Sequence, residues 1–446
     1  MNCKRVVPVV LAAVFAAGFA LAKETTARDH RLVIRPTYPF RAPISVSGYS
    51  GSSTLTNFPV LVRISENSPA GFSYGDCETD GSDIRFMDAV DNIIPHEIDT
   101  WNPQGESCIW VKLPTMGQGT QFEMRYGGLT STDYSPSAVW SAFGGVWHMN
   151  ENAATQTDRT GNGLVATTDS GVTYELAAGP VGQSLKKSGI LRTADFFETG
   201  LKYTMPSASY TVSGWYWWPD YGFSANANPL QKGVWGQNGW YLQHKTSKTP
   251  VRERMILVFR DVSTENTPFT VPNCATYWNY LTVVVTDTSH FTVFVNGVSA
   301  FSYTYSNPNY LPGSYPFIIG SVMGYADETR VMRSAVSADW VAADYATQTG
   351  TLLSYGAAAL ETRPLLIEGN ASVGYTTFTL PVILGTAGDG ASSATVSFAY
   401  GTDPANLSAP TVLASGLATG FDTTANLTGL ANGTTYHFEI SAVGAV

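Results

Sequence analysis

Positive charge is what this sequence has least of. Only 13% of its 446 residues are charged, and 25 Lys and Arg face 35 Asp and Glu, for a net charge of −10. That deficit excludes the basic surface that nucleic acid or anionic lipid requires, and leaves neutral partners such as polysaccharide, or cations such as calcium. Histidine is scarce as well, at six residues, none in a recognisable nucleophile arrangement. G-x-S-x-G, HExxH and P-loop patterns are all missing, and no CxxC or His-rich pair suggests a structural zinc. Past residue 22, no stretch approaches the roughly 18 apolar residues needed to span a bilayer.

What the chain does have begins at its start. Lys4 and Arg5 precede an apolar run from Val6 to Phe19, and Ala20-Leu21-Ala22 offers a small-x-small processing site. Residues 1–22 therefore read as a secretory signal peptide cleaved after Ala22, and the protein as secreted or held at the cell surface. With no cysteine at the cleavage point, a lipid anchor there is not expected. Processing leaves 23 basic against 35 acidic residues, a net charge of −12, and three cysteines. In an oxidising compartment a Cys77–Cys108 disulfide is expected, with Cys274 unpaired.

Length predicts several domains, and 42 glycines with 12% aromatics point to β structure with many tight turns. Residues 23–136 alternate short strands with turns, as in TLTNFPVLVRI (54–64) and CIWVKL (108–113). Residues 137–355 are richer in tryptophan. YTVSGWYWW (210–218) reads as one strand with aromatics on both faces, and Asn296-Gly297 between FTVFV and VSAFSY is a strong hairpin signal. Helical periodicity is confined to Ser337–Tyr345. From about 363 the composition shifts to Ala, Thr and Gly, and LANGTTY (430–436) has the form of the loop before a tyrosine corner. The expected fold is all-β: sandwiches in series, the third (363–446) ending where a last strand would still be needed.

The densest acidic stretch is DGSDIRFMDAVDNIIPHEID (80–99). Its carboxylates are of the type that ligates calcium or performs acid–base chemistry. Spacing favours structure. Ile84 and Phe86 point to one strand face, with Asp83 and Arg85 on the other. Asp88 to Asn92 is a turn, and His96 falls with Ile94 and Ile98 on a packed face.

Three resemblances carry specific residues. TLTNFPVLVRI, GSDIRF, IIPHEIDTWN, CIWVKLP and MRYGG, in that order, resemble a bacterial domain of unknown function. It occurs in exported proteins and in chains bearing a MotA/TolQ/ExbB proton-channel label. That label does not transfer to a chain without transmembrane helices. VWHMNENAATQTDRTGNG, YTVSGWYWW, FTVFVNGV and ADETRVMRSAVSADWVAADY resemble a concanavalin A-like, laminin G-type jelly roll. LANGTTYHFEISAV is similar to part of a fibronectin type III sandwich.

The jelly-roll resemblance implies a calcium site where acidic residues near the first turn and the final strand meet, here Asp158 and Asp327. The alternative is that Asp158 caps its turn and Glu328 pairs with Arg330. Alternation separates Trp215 and Trp217 from Tyr216 and Trp218. One pair is core, and the other can form a platform for sugar rings. Tyr216 and Trp218, joined by Trp235, Trp240 and Tyr241 from following segments, are the expected ligand-binding set. No Glu-x-Asp-x-x-Glu run of the related glucanases occurs, so no catalytic residue is named. The expected function is non-catalytic recognition of a polysaccharide or surface glycoprotein by the jelly roll. The alternatives are a structural surface array and, less favoured, a glycoside hydrolase.

Overall fold

The computed structural model describes residues 3–10, 38–89, 92–128, 136–167, 173–188, 197–198, 209–218, 228–232, 239–244, 254–259, 266–271, 277–287, 289–305, 317–321, 324–360, 365–368, 372–373, 376–386, 393–403, 406–418, 420–431 and 434–444. Trp235, Cys274, Asp91 and the Ala22 cleavage site lie outside them. The fold is all-β, with a single α-helix among the described residues.

The first sandwich stacks two antiparallel sheets. One orders Leu353–Tyr355, Phe40–Val46, Gln121–Tyr126, Arg85–Asp88 and Ile93–Ile94. The other orders Leu55–Ile64, Ser107–Met116 and His96–Thr100. Apolar residues of both sheets, such as Ile44, Phe122 and Met124 from the first and Val60, Val62, Ile109 and Val111 from the second, interlock in one core. That core does not stop at residue 136. Trp140, Phe143, Trp340, Ala343 and Leu352 belong to it, and Leu353–Tyr355 and Ala359–Leu360 pair with Phe40–Val46.

The second sandwich is larger. Its first sheet runs Thr173–Ala178, Gln183–Ser188, Gly324–Met332, Tyr210–Trp217, Asn279–Val285, His290–Val295 and Val298–Thr304, with Phe143–Trp147 pairing onto Gly324–Met332. The opposing sheet includes Phe317–Ser321, Asn228–Lys232, Trp240–His244 and Arg254–Phe259. The Asn-Gly hairpin forms where its sequence places it. Asn296 and Gly297 have φ of 50° and 79°, the left-handed values a two-residue turn of this type requires. The Asn296 side chain then accepts the Tyr280 N–H at 2.8 Å.

Helix α1, Ala338–Gln348, is wedged between the two sandwiches. Ser337 caps it by accepting the Trp340 N–H. One side packs Trp340 edge-on to Phe58 of the first sandwich, with ring centroids 5.2 Å apart. The other side buries Val341 against Val284 and Phe294 of the second.

A third core, built on Phe378, Leu380, Phe398 and Phe438, lies between two four-stranded sheets. The Ala431 N–H donates to the Tyr436 hydroxyl at 3.0 Å, so the LANGTTY loop is pinned by its own tyrosine. The edge of Thr435–Gly444 pairs with the backbone of Cys3–Val10, a strand within the segment 1–22 that the sequence assigns to a signal peptide and that processing after Ala22 would remove.

The expected disulfide is corrected: Cys77 and Cys108 are free thiols. Cys108, within the strand Ser107–Met116, turns its sulfur to Arg63 and Glu106, while Cys77 after a short 3-10 turn faces the Ser73 carbonyl. Burial pushes the Cys108 thiol up to about 12, so it holds its proton.

Candidate functional site

The acidic stretch 80–99 divides in two. Its first half makes turns. Asp80 accepts the Ser82 N–H, Asp83 the N–H groups of Glu78 and Gly127, and Asp88 both the N–H and the side-chain amide of Asn92. His96 is buried edge-on to Phe86, and burial, reinforced by the Arg85 charge, lowers its pKa to about 3. The second half behaves differently. Period-two alternation puts Glu97 and Asp99 on the face opposite His96 and Ile98, and that face meets the second sandwich.

There the two carboxylates enter a buried ionic cluster. His148 stands at its centre, with Nε2 3.3 Å from Glu97 and Nδ1 2.7 Å from Glu328 and 3.7 Å from Asp99. Arg330 binds Glu328 at 2.6 Å and Asp344 of α1 at 3.1 Å, its guanidinium 4.0 Å above the Trp110 ring. Asn150 and Thr100 donate to Asp99, and the Trp140 indole donates to Glu97. Burial alone depresses an imidazolium, but Glu328, Asp99 and Glu97 together raise the His148 pKa well above its ordinary value. Burial likewise opposes ionisation of Glu328, yet His148 and Arg330 hold it down at about 2. Asp99 is pushed up by burial to about 6, against the pull of His148.

A bulge makes this cluster possible. Ser213 pairs with Arg330 and Trp215 with Asp327, so Gly214 opposes both Glu328 and Thr329. Glu328, at φ 47°, is the extra residue. In an unbroken strand Asp327 and Glu328 would point to opposite faces; here the charges of Asp99 and His148 act on both.

The same sheet face continues beyond the covered region. Trp215 lies under α1, its indole donating to Gln348 at 2.8 Å and its ring beside Tyr345. Two residues on, past the end of the helix, Trp217 is only half-buried. It stacks on Tyr325, its cross-strand partner, with centroids 4.3 Å apart at 18°. Trp278 flanks both rings, at 6.1 Å from Trp217 and 5.9 Å from Tyr325. Lys186 pairs across from Tyr325 and sets its ammonium 5.9 Å from that ring, held by Glu175 at 2.8 Å. Tyr277, 63% exposed, follows at the margin. One residue from each of four adjacent strands or strand ends thus forms a row of about 14 Å at ordinary strand spacing.

The ligand-binding set named from sequence sits elsewhere. Tyr216 and Trp218 stack on each other inside the second core, and Trp240 is buried there with its indole donating to the Tyr210 hydroxyl at 2.7 Å. Tyr241 is buried, and Trp235 lies outside the described residues. Buried rings offer no face for a sugar to stack on, so Tyr216, Trp218, Trp240 and Tyr241 present no open platform, and on the strand Tyr210–Trp217 it is Trp217 that is left half-buried. Of the proposed calcium pair, Asp158 caps its turn, accepting from the N–H groups of Val146 and Thr160. Asp327 accepts the Val181 N–H at 2.9 Å. Among the described residues, the potential ligand atoms lying within 4.8 Å of one another are those of Asp99, His148 and Glu328.

Comparison with known proteins adds a family match. Residues 80–157 match a domain of unknown function, DUF2341. The matched segment takes in the acidic stretch and, from the ionic cluster, Glu97, Asp99 and His148. No curated protein matches the chain. Similar solved structures include Domain 4 of AbnA, a GH43 extracellular arabinanase from Geobacillus stearothermophilus, in complex with arabinotriose. It shows 18% identity and a TM-score of 0.36, covering 46% of this chain and 98% of that one. The ligand-binding domain of botulinum neurotoxin serotype D in complex with N-acetylneuraminic acid shows 11% identity and a TM-score of 0.36, covering 55% and 63%. The binding domain of Paraclostridial Mosquitocidal Protein 1 shows 11% identity and a TM-score of 0.35, covering 54% and 64%. The chain thus spans less than two thirds of the toxin binding domains' own length. Scores of this size assign neither a ligand nor an activity to this chain.

Proposed function

We propose that this chain is an exported, non-catalytic binding protein that recognises neutral carbohydrate through the aromatic row on its second sandwich. The observation that carries the reading is the half-exposed stack of Trp217 on Tyr325, flanked by Trp278 and Tyr277. Sugar rings present CH faces that pack on aromatic planes while their hydroxyls stay hydrated, and rigid rings lose little entropy on binding. The Lys186–Glu175 pair beside the row supplies a donor and an acceptor for those hydroxyls. A net charge of −10 suits an uncharged partner better than an anionic one.

A glycosidase reading has less support. The junction carboxylates Glu97, Asp99 and Glu328 have side chains no more than 6% exposed, which leaves them little surface for a polysaccharide to meet. No helix among the described residues is long and apolar enough to cross a membrane. Processing after Ala22 and release from the cell remain part of the proposal.

Affinity electrophoresis through gels containing cellulose, xylan, arabinan or mixed-linkage glucan tests the assignment. At least one gel should retard the wild-type chain, and Tyr325→Ala should run free of it with an unchanged melting temperature. Retardation that survives Tyr325→Ala would move the site elsewhere. No retardation by any gel would count for a purely structural role.

A further inference from the structure

Five carboxylates meet at the junction: Glu97, Asp99, Asp327, Glu328 and Asp344. Only His148 and Arg330 are buried with them as cations, Arg159 standing at the margin with a third of its side chain exposed. Arg330 is committed to Glu328 and Asp344. Whenever all five ionise, the described residues leave the pocket short of positive charge, and an unmatched buried charge is costly.

Asp327 marks where the shortfall lies. It is fully buried, and its Oδ2 accepts from Val181, while Oδ1 has no hydrogen-bond partner among the described residues. It lies beside the trio without being one of its members: Glu328 is the next residue, and the charges of Asp99 and His148 act on it. A buried carboxylate oxygen with nothing to accept from is what a cation site leaves when only its protein half is considered.

We propose that Asp99, His148 and Glu328 form a divalent metal site between the two sandwiches, with the Asp327 carboxylate beside it. The bound ion would be a transition metal of the zinc class. A ligand set of one imidazole nitrogen and carboxylate oxygens suits zinc or manganese, whereas calcium takes oxygen alone. The second layer is already in place. His148 would bind through Nδ1, now 2.7 Å from Glu328, while its Nε2–H points to Glu97 at 3.3 Å, the carboxylate–histidine–metal arrangement that fixes a ligating ring. Asn150 and Thr100 orient Asp99 in the same way. The ligands come from both sandwiches, Asp99 from one and His148 and Glu328 from the other. The ion would therefore clamp them together rather than act on a substrate.

The full-length chain, stripped with chelator and then dialysed against Zn(II), Mn(II) or Ca(II), should retain one Zn(II) or Mn(II) per chain by elemental analysis. Its melting temperature should rise with the retained ion and fall on adding chelator. Co(II) loading should give visible d–d bands on the wild-type chain, a readout needing no variant. Asp99→Asn, the isosteric change, should lower the stoichiometry at least tenfold at limiting metal, whereas Asp158→Asn should keep it. A wild-type chain that retains no ion, shows no Co(II) bands and has the same melting temperature with and without metal would overturn the site. Retention of calcium alone, or loss of the ion in Asp158→Asn but not in Asp99→Asn, would overturn the ligand assignment.

Discussion

Arg330 is the residue on which most of the junction depends. Its guanidinium binds Glu328 and Asp344 and lies over both Trp110 and Trp140, so four partners from three parts of the chain share it. Arg330→Met keeps much of the volume but strands two buried carboxylates, and should cost about 3–5 kcal/mol in urea unfolding. Arg330→Lys should recover only part of this, because an ammonium cannot both fork to carboxylates and stack on indole. His96 makes a separate prediction. Its folded pKa, lowered to about 3 by burial and by Arg85, lies below the ordinary histidine value of about 6.5. The unfolded chain therefore takes up a proton that the folded chain refuses. The stability contributed by neutral His96 is complete above pH 6.5 and is lost as pH falls towards 3, at up to about 1.4 kcal/mol per pH unit. Urea midpoints at pH 7, 5 and 4 should fall less steeply for His96→Gln than for the wild type, by about one proton's worth.

At the scale of elements, α1 connects the sandwiches by hydrogen bonds as well as packing. Thr347 accepts the Leu61 N–H at 2.7 Å in a buried setting, and the Gln348 carbonyl accepts from Arg63 at 2.7 Å. Thr347→Val preserves shape but leaves a buried N–H without its acceptor, and should cost about 1–3 kcal/mol by thermal or urea melts. Elements with local signals were legible in the sequence. The Asn296-Gly297 turn announces its hairpin, and the periodicity of SADWVAADY, which opens on Ser337, announces the helix. Alternation also found both faces of YTVSGWYWW, but not which one is core. That choice depends on the opposing sheet, which buries Tyr216 and Trp218, and on α1, which covers Trp215 and stops short of Trp217. The bulge at Glu328 was hidden for a similar reason. Strict alternation would separate Asp327 from Glu328, and nothing local in ADETRV marks the break.

On the scale of the whole molecule, the first and second sandwiches are built as one unit. Residues 140, 143, 340 and 352 complete the first core, strands 353–355 and 359–360 complete its sheet, and the ionic junction sits where the two meet. Residues 38–136 expressed alone should therefore lack a cooperative thermal transition, while residues 38–360 should show one shared by both sandwiches. Two separate transitions would contradict this. The sequence suggested modules in series because composition and motif resemblance report on local texture; Glu97 and Asp99 meet His148 only through contacts about fifty residues apart. The unit presents one face whose covered half is the junction and whose open end is the aromatic row. The most direct test of the proposed function is calorimetric titration of the full-length chain with an oligosaccharide of the polysaccharide that retards it, set beside Trp217→Ala. The account predicts at least a tenfold loss of affinity, about 1.4 kcal/mol, with an unchanged melting temperature. Equal affinity in a folded Trp217→Ala chain would contradict it.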